Sequence, residues 1–244
     1  MSLKARIVSA IPVSYQTPWR YHIRRLTHRL ERELPFLAHV LKAPRTCVDV
    51  GANYGMYTCV LAKMARRVEA FEPIPACAAA LRAYFGSTVQ VHRVALSSRS
   101  GHVTLFTPVR GGVVNFESTG LGVASPDAIP VEVETRRLDE FELIDVSFVK
   151  IDVEGHELEV LEGGQHTIAR DRPILLVEIE QRHSGRPVAD VIAHIETLGY
   201  SGHFLVDGIL RPVRGFSYEE HQAPYLENVM AAGYINNFFF LPAG

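Results

Sequence analysis

Cys47-Val48-Asp49-Val50-Gly51-Ala52-Asn53-Tyr54-Gly55-Met56-Tyr57-Thr58 reads as a buried strand, a glycine turn and the start of a helix. In an open α/β sheet that junction leaves a crevice at the carboxyl end of the strand, where ligands bind. A dinucleotide fingerprint needs glycines at positions 51, 53 and 56 so that the backbone can approach a pyrophosphate. Here the latter two are Asn53 and Met56. Asp49 argues the same way, because a carboxylate just before the turn repels phosphate and suits a ligand carrying ammonium and sulfonium charge.

Beyond the helix that starts near Gly55, Val68-Glu69-Ala70-Phe71-Glu72 forms a second strand that ends in an acid followed by Pro73. The Glu72 carboxylate can accept two hydrogen bonds from a ribose diol. The third strand runs into Ala95-Leu96-Ser97-Ser98, where an adenine would lie and Ser97 can bond the base. An adenosyl ligand without pyrophosphate, S-adenosylmethionine, satisfies all three positions. Taken singly, Asp49 is also a turn or capping carboxylate, Glu72 a strand-end surface charge and Ser97 a turn serine. The two acids together, at the ends of adjacent strands flanking a glycine turn, favour ligand binding.

After Arg45 short β-rich runs alternate with helical segments, the pattern of a mostly parallel sheet covered on both faces. Strands are expected at 46–50, 68–72, 89–95, 146–152 and 173–179, with closing strands at 202–206 and 237–241. Helices fit at 55–66, 75–85, 156–169 and 187–198. Residues 1–44 read as an N-terminal helical extension and 45–244 as the catalytic domain. Within the extension Trp19, Ile23, Leu26, Leu30 and Leu34 make one apolar helical stripe that Pro35 should end. Its other face carries Arg20, Arg24, Arg25 and Arg29, which suits a membrane or partner, although packing of the stripe on its own domain is the commoner arrangement. Residues 107–130, with Gly111, Gly112, Gly120 and Gly122, and residues 207–234 interrupt the alternation and read as substrate-covering loops.

The fourth strand delivers Phe148-Val149-Lys150-Ile151-Asp152-Val153-Glu154-Gly155-His156-Glu157 to the same sheet edge. A hydroxyl acceptor is a poor nucleophile until a positioned base takes its proton, and Asp152 and His156 are the candidates. Glu157 lies in a first helical turn, where an acid suits the helix dipole, and Glu154 can cap that helix. No metal site is assigned; the weaker alternative is a divalent ion held by Asp152, Glu154 and Glu178, against which stands the ordinary bonding of strand-end acids to loop amides.

Four stretches together resemble the FkbM family of S-adenosylmethionine-dependent methyltransferases: Val48 to Gly55, Phe71-Glu72-Pro73, Ala95-Leu96-Ser97, and Val149 to Leu158 with Leu161-Glu162-Gly163-Gly164. The similarity runs from Thr46 to Pro242. It implies the class I methyltransferase fold, a Rossmann-like sheet of seven strands with the last antiparallel, and O-methylation in natural-product or glycan biosynthesis. It also implies that Gly51, Asn53 and Gly55 line the methionine end, Glu72 the ribose and the Asp152 segment the acceptor side. His156 stands where the family pattern often has a small residue. The cofactor set is thus Asp49, Gly51, Asn53, Gly55, Thr58, Glu72 and Ser97, with Asp152 and His156 catalytic and a small-molecule hydroxyl as acceptor. A nicotinamide-dependent oxidoreductase and a noncatalytic ligand-binding protein of the same fold are the competing readings.

A net charge of −2 removes the broad attraction a nucleic-acid binder relies on. Cys47, Cys59 and Cys77 sit in apolar stretches without metal or redox spacing and read as reduced core residues. With no long apolar run, a cytoplasmic protein without a membrane span is expected, free to form homo-oligomers.

Overall fold

The main sheet is built outward from Thr46–Val50 (β1), whose five residues are all buried because helices cover both faces. A computed structural model describes residues 11–27, 29–110, 113–114, 119–120 and 127–243. Parallel to β1 on one side lie Arg67–Phe71 (β2) and Gln90–His92 (β3), and on the other Val146–Ile151 (β9) and Ile174–Glu178 (β10). Asn237–Pro242 (β13) inserts antiparallel between β10 and Tyr200–Val206 (β11). Those seven strands have the arrangement the resemblance implies. An eighth, Ile209–Pro212 (β12), is added at the margin by a hairpin through Asp207 and Gly208, both at positive φ. At the opposite margin the guanidinium of Arg82 donates to the outer carbonyl of Val91 at 2.9 Å.

The third strand is shorter than expected. The chain leaves the main sheet after His92, and Ala95–Leu96 (β4) joins a separate three-stranded sheet with Gly101–Thr107 (β5) and Ile129–Arg136 (β8). Much of the expected loop 107–130 is therefore the tip of the β5–β8 hairpin; its Gly111, Gly112, Gly122, Asn115, Glu117 and Ser118 lie outside the described residues. The helix expected at 156–169 is two helices, Glu157–Gly163 and Gln165–Asp171. The break falls at Gly164, next to Gly163, where a Cβ would stand 2.0 Å from the carbonyl oxygen of Ser97. Excursion 207–234 contains β12 and short helical turns rather than open loop.

The N-terminal extension also departs from its pattern. Its helices are Val13–Leu26 (α1) and Glu33–Val40 (α2), and Pro35 sits in the first turn of α2, where its missing N–H leaves no bond unmade. On α1 the buried residues are Thr17 and Tyr21, not the Trp19–Ile23–Leu26 stripe. The glycine turn dictates this: a Cβ at Gly55 would meet Thr17 Cγ2 at 3.3 Å, so only a small side chain fits there. Arg20 then lies over the Tyr54 ring at 3.8 Å and Lys63 over Tyr21 at 4.9 Å.

The two central strands approach most closely at Gly51. Its φ of +77° is left-handed, and a Cβ would lie 1.8 Å from the Asp152 carbonyl oxygen. Gly51→Ala must therefore part the ends of β1 and β9, at a cost of about 2–4 kcal/mol. A denaturant melt should show that loss; a variant as stable as the parent would mean that this approach is not obligatory.

Candidate active site

Two cavities open at the carboxyl ends of these strands and share Gly51, Asn53, Asp152 and Glu154 as a common wall. One has an empty volume of about 780 Å³ and is mostly apolar, walled by Phe71, Ile74, Val94, Leu96, Val103 and Leu105. The other, about 2990 Å³ and open to solvent, is polar, with Asp49, Glu31, Tyr57, Glu178 and Asn237 at its floor.

At the apolar cavity Glu72 is fixed by its own loops. Asn53 N–H donates to Oε2 at 2.6 Å and Ile74 N–H to Oε1 at 2.7 Å. Each carboxylate oxygen keeps one further lone pair toward the cavity. Burial pushes its pKa up to about 7 against those two bonds. Ser97 Oγ lies 2.9 Å from His156 Nε2, and His156 Nδ1 lies 3.5 Å from Glu159. His156 thus borders the apolar cavity and not the polar one. As a base for an acceptor in the polar cavity it is misplaced, and its position favours a ligand-side role. Burial holds its pKa below the usual value.

The polar cavity is governed by Lys150, which is 0% exposed. Its Nζ donates to Asn237 Oδ1 at 2.9 Å, lies 3.8 Å from Glu178 Oε2 and sits 5.0 Å above the Tyr57 ring. Burial alone would discharge it, but Asp152, Glu178, Glu31 and Asp49 outweigh burial and raise its pKa. Asp49 accepts a 2.5 Å bond from Thr58 Oγ1, and burial still lifts it to about 6. Burial raises both Asp152 and Glu178, Glu178 the more strongly because the Asp152 charge adds to it. One buried ammonium sits among four carboxyls, three of which burial pushes toward their protonated form, so the floor is acid-rich and its charge depends on pH.

The structure brings Asp49, Gly51, Asn53, Glu72 and Asp152 to the cavities. Thr58 does not reach them: it is fully buried and acts by holding Asp49. Gly55 and Ser97 also border neither cavity: Gly55, at φ +84°, starts the following helix, and Ser97 is buried against His156, which does line the apolar one. Glu157 is structural as expected, its Oε1 accepting the Gly155 amide at 2.7 Å. Among the described residues no group of three His, Cys, Asp or Glu is arranged to hold a metal ion. Of the Asp152–Glu154–Glu178 alternative, Glu154 pairs with His183 at 2.6 Å and Glu178 accepts from Asn236 at 2.9 Å. Lys150, Glu31, Tyr57, Asn236 and Asn237 are additions that the sequence reading missed. Only Lys150 carried a signal, as a charge inside an apolar strand.

The acids Asp49, Glu72, Glu33 and Glu157 all have folded-state values raised to about 6–7 by burial. The folded chain thus keeps protons that the unfolded chain has released, and stability must fall as pH rises through that range. His183, raised to about 9 by Glu154 and Glu180 against burial, adds a loss in the same direction above its ordinary value. Glu180, held low against burial by His183 and Arg182, acts only under more acid conditions. The ligand-free chain should therefore melt several degrees higher at about pH 5 than at about pH 7.5, a difference on the order of 1–3 kcal/mol per group at most. Glu157→Gln keeps the bond to Gly155 and should flatten that slope; a stability that rises with pH would contradict the assignment.

A sequence family described as "Methyltransferase FkbM domain" matches residues 49–201. A curated relative, 2-O-methyltransferase NoeI of Sinorhizobium fredii (strain NBRC 101917 / NGR234), is 26% identical over 171 residues, which cover 62% of this chain and 70% of that protein. Among solved structures, methyltransferase FkbM from Methylobacillus flagellatus KT superposes with a TM-score of 0.55 at 19% identity over 95% of this chain. This chain spans 55% of that one, and the likeness speaks to the fold.

Proposed function

This chain belongs to the FkbM methyltransferase family, and from that premise we propose that it moves a methyl group from S-adenosylmethionine to a hydroxyl oxygen of a small molecule, a natural product or a glycan. The observation that carries the reading is the pairing of an acid-lined floor with an apolar slot across one shared wall. The donor set fits the cofactor: carboxylates face where ammonium and sulfonium charge would lie, and apolar side chains face where adenine would lie. Neither cavity offers the glycine-rich cradle a pyrophosphate needs, so a nicotinamide dinucleotide has no support here. The name of the NoeI relative supports oxygen as the acceptor atom.

When bound, S-adenosylmethionine supplies an electrophilic methyl group. The protein's part is holding, positioning and proton transfer. Asp49, aligned by Thr58, and the Gly51–Asn53 turn hold the methionine end, while Glu72 takes the ribose with its remaining lone pairs. Ser97 and His156 close the adenine end. Asp152, on the shared wall, accepts the hydroxyl proton at a carboxylate oxygen. Burial strengthens it as a base, and Lys150 keeps a charged partner beside it. Asn236 and Asn237 orient the acceptor, and much of the acceleration comes from that orientation.

Calorimetry on the intact chain should detect S-adenosylmethionine and its demethylated product but not NAD. Asp49→Asn should weaken that binding about tenfold. Asp152→Asn should leave it within a factor of about three while lowering turnover on a hydroxylated acceptor by about 10²–10⁴. Wild-type affinity and turnover in both variants would overturn the assignments, and heat with NAD alone would overturn the function.

A further inference from the structure

Helix α1 turns an apolar stripe to solvent. Tyr15 is 64% exposed, Ile23 41% and Leu26 75%, with Trp19 half-buried between them. Their spacing puts them along one side of a helix. It is the side away from the domain, because Thr17 and Tyr21 make the inward contact. Exposed apolar residues are ordinary when scattered, whereas a contiguous aromatic and aliphatic stripe marks a surface that meets something.

Charge indicates what it meets. Helix α1 contains no Asp or Glu, carries Arg24 and Arg25 in its last turn, and is followed by Arg29. This cationic density is local, since the chain as a whole has a net charge of −2. Arginines beside Tyr, Trp, Ile and Leu compose a helix that lies in a bilayer interface. The aliphatic side chains enter the acyl boundary, the rings sit at headgroup depth and the guanidinium groups meet lipid phosphate. Docking on a surface needs no spanning segment, and among the described residues no helix is long and apolar enough to cross a membrane. Arg24 and Arg29 also border the polar cavity, so a bilayer on this face would lie beside the cavity mouth.

We propose that α1 is a docking surface for an anionic lipid bilayer, with Tyr15, Trp19, Ile23 and Leu26 entering the interface and the exposed Arg25 and Arg29 at its flank meeting the headgroups. The surface stands independently of the methyl-transfer reading, and so does its test.

The intact chain is sedimented with vesicles of phosphatidylcholine alone and of phosphatidylcholine mixed with phosphatidylglycerol. It should pellet with the mixed vesicles, stay in solution with the neutral ones, and be released by added salt. Leu26→Glu and Ile23→Glu, at exposed positions that should leave the melting temperature unchanged, should each lower partitioning about tenfold or more. Arg25→Glu should also weaken it and reduce its salt dependence. Absence from the mixed vesicles, equal recovery with both kinds, or a concentration-dependent dimer abolished by Leu26→Glu would each overturn the proposal.

Discussion

Lys150 is wholly buried at the end of a central strand, and the carboxyls of Asp49, Asp152, Glu178 and Glu31 are arranged around its ammonium. A lone ion in that position would be discharged, and the carboxyls without it would repel one another. The two demands are met together, and what survives is an acid-rich floor facing one cavity, part of its charge cancelled by the lysine and by protons that burial retains. Nearly every neighbouring feature serves this balance. Asn237 opens the antiparallel strand where its amide oxygen can take the lysine proton donor, Tyr57 lays its ring beneath the charge, and Glu31 reaches in to accept the tyrosine hydroxyl at 2.6 Å.

The apolar cavity is made by different means. Its far wall belongs to the small β4–β8–β5 sheet, which the chain builds after leaving the main sheet. A glycine pair makes room for the join, since Gly163 packs against the Ser97 backbone just before Ser97 meets His156. One cavity is thus shaped by charge and the other by close backbone contact, and the Gly51–Asp152 approach is where they meet.

How much of this was legible in the sequence depends on the range of the interaction. Segment patterns recovered β1, β2, β9, β10 and β13 to within a residue or two, because burial on both faces writes a continuous apolar run. Asp49 and Glu72 were legible because each ends such a run beside a turn. Partnerships across the fold were not: nothing local ties Glu31 to Tyr57, or Asn237 to Lys150, which are 87 positions apart. The outward stripe on α1 was misread for a related reason. Periodicity finds a face but not what the face meets, and the space beside Gly55 decided that Thr17 would turn inward. The Asp207-Gly208 pair between apolar residues is a hairpin signal that the reading of 207–234 as a loop passed over.

That eighth strand has a consequence for how the molecule behaves in company. An unfinished sheet invites foreign strands to continue it, and this one closes both borders. At one, β12 is only four residues long and ends in Arg211 and Pro212, a cation and a residue that can offer no amide. At the other, β3 has three residues, and Arg82 already occupies the Val91 carbonyl that a newcomer would use. Crowded at high concentration, the main sheet, among the described residues, offers little margin on which fibrillar stacking can begin.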